Sequence, residues 1–167
     1  MIRFLSLALM LMLPACGLQP LYGTRSVVAS LRSVELAPIE GKAGYLVRSA
    51  LEQRLGKPDG GAAKYRLQVE LDDQINGFGV RRDDSVTRER RVLRARYRLI
   101  ETDGGTTVLD ATAGSDSGID VVSSEYAVVA AEETALERLS EIVSDQIVAR
   151  VALYVKRTDA AAVPATK

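Results

Sequence analysis

Between Lys64 and Asp72 the chain alternates without a break. Tyr65, Leu67, Val69 and Leu71 point one way, and Lys64, Arg66, Gln68, Glu70 and Asp72 point the other. A period of two is that of a half-buried β-strand with one wet face. The same period predicts three more strands. Arg32–Ile39 places Val34 and Leu36 opposite Ser33 and Glu35, with Pro38 ending the strand or lying at its edge. Ser85–Glu101 is the longest, with Leu93, Ala95, Tyr97 and Leu99 on one face. Asp103-Gly104, followed by Gly105, predicts a hairpin turn into a fourth strand over Thr106–Ser115. Its inward residues Leu109, Ala111 and Ala113 are mostly small, which predicts that something bulky packs over them. Asp73–Asp84 is expected to be loop, with Asn76-Gly77 as its strongest turn signal.

Two segments change period from two to 3.6. After Gly41–Gly44, the residues Leu46, Val47, Ala50, Leu51 and Leu55 form one apolar stripe over about three helical turns. Gly56 supplies a left-handed stop and Pro58 prevents continuation. The second helix is expected from Glu125 to Arg157, capped by Ser123 or Ser124. Its stripe runs through Tyr126, Val129, Leu136, Leu139, Val143, Ile147, Val151 and Tyr154. Thr158–Lys167 has no stripe and is expected to fray.

The predicted order is β-α-β-β-β-α. Each strand has one apolar face and each helix one apolar stripe. The simplest way to bury them all is an α+β two-layer sandwich, with both helices on one side of a four-stranded, mostly antiparallel sheet. The other face of that sheet is then uncovered.

The N-terminus follows another rule. Arg3 precedes an apolar run from Phe4 to Leu13, and small Ala15 precedes Cys16, the only cysteine of the chain. A charged start, an apolar middle and a small residue at the cut site make an export signal. The run is too short to span a bilayer, which takes about 20 apolar residues. Leu13-Pro14-Ala15-Cys16 resembles the lipobox of bacterial lipoproteins. That resemblance implies N-acylation and an S-diacylglycerol on Cys16 after cleavage. The expected organisation is a signal peptide over 1–15, an acylated tether over 16–31, the α+β domain over 32–157 and a flexible tail over 158–167.

Removing the first 15 residues from the 167-residue chain leaves 152, enough for one domain with a real core. The mature side chains carry 21 basic and 22 acidic groups, so no net charge points to nucleic acid. The chain has no histidine, and its one thiol is assigned to the lipid. Ser-His-Asp, Cys-His and His-ligated zinc sites are therefore excluded. Asp72-Asp73, Asp83-Asp84 and Glu132-Glu133 are adjacent pairs whose side chains diverge, and they read as solvated acids. None of the glycines opens a phosphate-cradling loop. No enzymatic activity, metal or cofactor is expected.

Arg88, Arg90, Arg94, Arg96 and Arg98 share the polar face of the long strand, with Val92 among them. Same-face neighbours on a strand lie about 6–7 Å apart, so these charges repel unless compensated. Glu70 and Asp72, on the wet face of the preceding strand, are available to pair with them. The other compensation is an anionic ligand or partner, since guanidinium grips phosphate and carboxylate through two parallel hydrogen bonds. A plain solvated face that discourages sheet-to-sheet association is the third account.

Cys16-Gly17-Leu18-Gln19-Pro20-Leu21-Tyr22-Gly23 resembles the mature start of the lipopolysaccharide-assembly lipoprotein family (LptE) of alphaproteobacteria, with Leu18 at a position that is commonly aromatic there. Ser124-Glu125-Tyr126-Ala127, Ala131-Glu132, Ala135, Arg138-Leu139, Ile142 and Ile147 resemble the family's C-terminal helix. The β-α-β-β-β-α order agrees with its fold. The resemblance implies a non-enzymatic lipoprotein anchored on the periplasmic side of the cell outer membrane. It would plug and help assemble a large LptD-like β-barrel translocon that delivers lipopolysaccharide to the surface. The expected partners are that barrel and lipopolysaccharide, with the five arginines as candidate contacts. A lipid-anchored binding module of another envelope or secretion complex is the alternative.

Overall fold

A computed structural model describes residues 31–56, 62–80 and 86–162. The elements are β1 (Val34–Leu36), α1 (Gly41–Leu55), β2 (Tyr65–Val80), β3 (Val86–Glu101), β4 (Thr107–Asp120) and α2 (Glu125–Ala162). They form one sheet in the order β1-β2-β3-β4. β1 runs parallel to β2, while β2, β3 and β4 are antiparallel. The fold is the expected α+β arrangement.

One parity of strand residues makes the core. Tyr65, Leu67, Val69, Leu93, Ala95, Tyr97 and Leu99 are buried in a single cluster with Val47, Leu51 and Leu55 of α1. Leu136, Leu139, Val143, Ile147 and Val151 of α2 complete it. Both helices therefore pack on the same face of the sheet, and the opposite face stays open. Burying each large aliphatic side chain contributes about 1.5–3 kcal/mol. The small inward residues of β4 have the predicted cover, since α2 packs along that strand. Tyr65, in the cluster, meets the partly buried Tyr154 edge to face at 6.1 Å.

Local chemistry sets the element ends. α1 begins at Gly41, in the left-handed region (φ 79), and stops at Gly56, whose N–H donates to the Glu52 carbonyl. Ser124 caps α2 by accepting from the Ala127 N–H at 3.4 Å.

Several boundaries differ from expectation. β1 is three residues long, shorter than Arg32–Ile39. Asp73–Val80 is strand, not loop: Asn76 pairs with Arg90 and Gly77 with Glu89. The long polar and glycine-containing segment is held by ladder hydrogen bonds to β3, which needs a partner of matching length. α2 continues through Ala162, past the Arg157 end expected for it, and Thr158 donates its hydroxyl to the Tyr154 carbonyl. The first positions of its stripe are not buried. Tyr126 is 85% exposed and Val129 47%.

Candidate functional site

The open face of the sheet carries the candidate residues. Alternation on β3 turns Arg88, Arg90, Arg94, Arg96 and Arg98 away from the helices, as the pattern predicted. β2 and β4 flank them. Four of the five arginines are neutralised within the chain. Arg88 donates to Asp120 at 3.1 Å, and Arg90 lies 3.4 Å from Asp116. Arg96 grips Asp110 with two bonds, of 3.2 and 2.8 Å. Arg98 donates to Glu70 at 2.7 Å. The hydrogen bond from Arg96 holds the Asp110 carboxyl below the usual carboxylate range, and Asp110 in turn raises the Arg96 guanidinium.

The expected pairing with β2 is therefore half right. Glu70 pairs, but Asp72 accepts from Gln74 at 3.0 and 3.2 Å instead. Most of the compensation comes from β4, through Asp110, Asp116 and Asp120. The signal was present in the sequence, since these acids share the parity opposite to Ala111 and Ala113.

Arg94 is the exception. Among the described residues its guanidinium has no ion-pair partner. The register explains why. Its neighbour on β4 is Gly114, which has no side chain, and its neighbour on β2 is Asp72, already held by Gln74. Arg94 lines an open groove of about 790 Å³ with Glu70, Asp72, Arg96, Thr112 and Asp116. Val92 continues this groove into a mainly apolar hollow of about 460 Å³ with Phe78, Asn76 and Arg90. The Arg90 guanidinium stands 5.8 Å from the centre of the Phe78 ring. Among the described residues, the face thus sets the Arg94 guanidinium and several exchangeable surface pairs beside an apolar step. Exposed pairs are worth about 0–1 kcal/mol each, so an incoming anion can replace their carboxylates cheaply.

Arg91, which the face count left out, points to the helix side. It binds Asp73 with two bonds of 2.8 and 2.6 Å and donates to the Glu132 carbonyl at 2.8 Å. The side chains of Arg91 and Asp73 are only 12% and 23% exposed, so the Asp73 carboxylate is not the solvated acid expected. Beside this pair, Glu89 faces Glu132, and one Glu89 carboxylate oxygen is buried without a hydrogen-bond partner. Desolvation, then the Glu132 charge, push the Glu89 carboxyl above its ordinary value. Glu133 instead accepts from Lys42 at 2.6 Å, which lowers its carboxyl. Among the described residues no three His, Cys, Asp or Glu side chains stand together as metal ligands. Cys16, residues 17–30 of the tether and Asp83-Asp84 lie outside the described residues, whereas Leu31, taken as the end of the tether, is buried in the core.

A two-layer α+β domain with one charged sheet face open is the class this fold defines. The family follows from comparison: the model of the LptE lipopolysaccharide-assembly family matches residues 31–151, and the chain belongs to that family. Membership makes it a lipopolysaccharide-assembly lipoprotein. Among solved structures, the fold is similar to that of a candidate lipoprotein from Caulobacter crescentus CB15, with a TM-score of 0.62 and 22% identity over 78% of this chain and 96% of that one. It is also similar to rare lipoprotein B from Shewanella oneidensis, with a TM-score of 0.59 and 12% identity over 75% and 98% of the two chains. Lipoprotein B from Nitrosomonas europaea matches with a TM-score of 0.57 and 17% identity over 74% and 88%. No curated protein sequence matches.

Proposed function

We propose that this protein is a non-catalytic lipoprotein of the outer membrane, anchored through acylated Cys16 on the periplasmic side. In this reading it plugs and helps assemble an LptD-like β-barrel that inserts lipopolysaccharide at the cell surface. The family match over residues 31–151 carries the reading. The open sheet face supports it: Arg94 and the exchangeable pairs suit phosphate and carboxylate groups, and Phe78 and Val92 suit acyl chains. Arg88, Arg90, Arg94, Arg96 and Arg98 are the proposed contacts.

The test is an affinity purification from native membranes with the lipid anchor intact. A large outer-membrane barrel is expected to co-purify, and depletion is expected to stop lipopolysaccharide display. Recovery of the free monomer beside an intact, empty barrel overturns the plug. Secretion components in its place favour the binding-module alternative. For the face itself, the double variant Arg94→Glu, Arg96→Glu should keep its fold and lose about tenfold in affinity for lipopolysaccharide or barrel at matched salt. Unchanged affinity returns the arginines to a solubility role.

A further inference from the structure

β4 is the outer strand of the sheet, and its backbone is only partly satisfied. Gly114 shows which way the free groups point. Its N–H donates to the Gln146 side-chain oxygen at 3.1 Å, and its carbonyl accepts from the Gln146 amide nitrogen at 3.3 Å. A strand turns the backbone groups of alternate residues to alternate sides. Asp116, Gly118 and Asp120 therefore share the outward direction of Gly114. The opposite parity faces β3, and the Val121 N–H bonds the Thr87 carbonyl there at 3.0 Å. Among the described residues nothing pairs with the outward groups of Asp116 and Gly118.

Helix α2 runs beside this edge in step with it. Gly114 to Ile119 is about 16 Å of strand, and Ala135 to Gln146 is about 16 Å of helix. The two ends coincide: Gln146 latches Gly114, while Ala131, Ala135 and Arg138 face Gly118 and Ile119 across an open groove of about 430 Å³. Ile142 stands on the same helical stripe, one turn from Arg138 and one from Gln146, and is 37% exposed. A free backbone edge beside a helix flank of small residues is the geometry in which an extended peptide adds a strand.

We infer that the groove between the Ser115–Asp120 edge of β4 and the flank of α2 accepts one extended strand from a partner polypeptide. The chemistry of the walls specifies it. Side chains directed to the helix side meet Ala131, Thr134 and Ala135 beside the cationic Arg138, so they are apolar and carry no positive charge. Those directed to the open face meet Asp116 and Asp120, which are exposed despite their arginine partners, so they are basic. A second copy is disfavoured. Pairing two β4 edges about Gly118 sets Asp116 against Asp120, two like charges directly opposite each other. This assignment does not depend on the proposed function.

The test pans a library of random decapeptides against the full-length chain in detergent. Enriched peptides are expected to alternate basic with apolar residues. On binding, the amides of Gly118 and Asp120 should gain hydrogen-exchange protection, while Ser117 and Ile119 stay as they are. Gly118→Pro removes one outward N–H and no bond to β3, and a Cβ at that position meets nothing within 4 Å. It should fold and lose about tenfold in peptide affinity. Ala131→Lys, on the helix surface, should lose a similar amount through repulsion and bulk, and it stands in if the proline variant fails to fold. Peptides indifferent to both variants, or no binders at all, overturn the inference. So does self-association that Gly118→Pro abolishes.

Discussion

Glu89 illustrates how little a residue's chemical type says before its neighbours are known. Its carboxyl is pushed up by desolvation and by Glu132, with Arg91 already committed to Asp73. A raised carboxyl binds its proton more tightly in the folded state. Stability then falls as pH rises from the ordinary carboxylate value through the folded one. Glu89→Gln should therefore stabilise the protein at neutral pH, and the gain should vanish in acid, as urea titrations at several pH values will read. Arg91 is the complementary case. It joins Asp73 to the α2 backbone at low exposure, so Arg91→Ala should lose about 2–3 kcal/mol. Arg88→Ala, which breaks an open surface pair, should lose no more than about 0.5 kcal/mol in the same urea experiment.

At the scale of elements, close approach matters as much as periodicity. A Cβ on Gly44 would stand 2.7 Å from the Ile39 carbonyl oxygen, so the chain entering α1 folds back tightly against its first turn. Alanine gains about 1 kcal/mol of helix propensity over glycine, yet here the clash with backbone should win. Gly44→Ala should destabilise by about 1–3 kcal/mol, read as a lower urea midpoint at unchanged m-value. The long β2–β3 ribbon and the first turns of α2 project beyond the apolar core. Their inner surfaces carry Asp73, Arg91 and Glu89, leaving Ile75, Tyr126 and Val129 exposed.

For the whole molecule, the proposed function separates attachment from recognition. Among the described residues no helix is long and apolar enough to cross a membrane. Membrane retention is expected to rest on the acyl chains, since several buried chains give stable anchoring where one gives marginal binding. Cys16→Ala should leave the domain folded and move it out of the membrane fraction, measured by fractionation and circular dichroism. An acyl-free variant that still pellets with membranes points to retention by the protein partner.

Periodicity alone determined the six elements, the two-layer stacking and which face of β3 carries the five arginines, because alternation and helical stripes are local properties. Tertiary structure decided the rest. It extended β2 through Asn76-Gly77, because a ladder to β3 outweighs a local turn preference. It matched four arginines with acids from two neighbouring strands and, among the described residues, left Arg94 without an ion-pair partner, because register sets Gly114 and the occupied Asp72 beside it. Arg91 went to the buried side with Asp73, and α2 came to flank the β4 edge. Each of these depends on which residues meet across space, and spacing along a single chain does not contain that information.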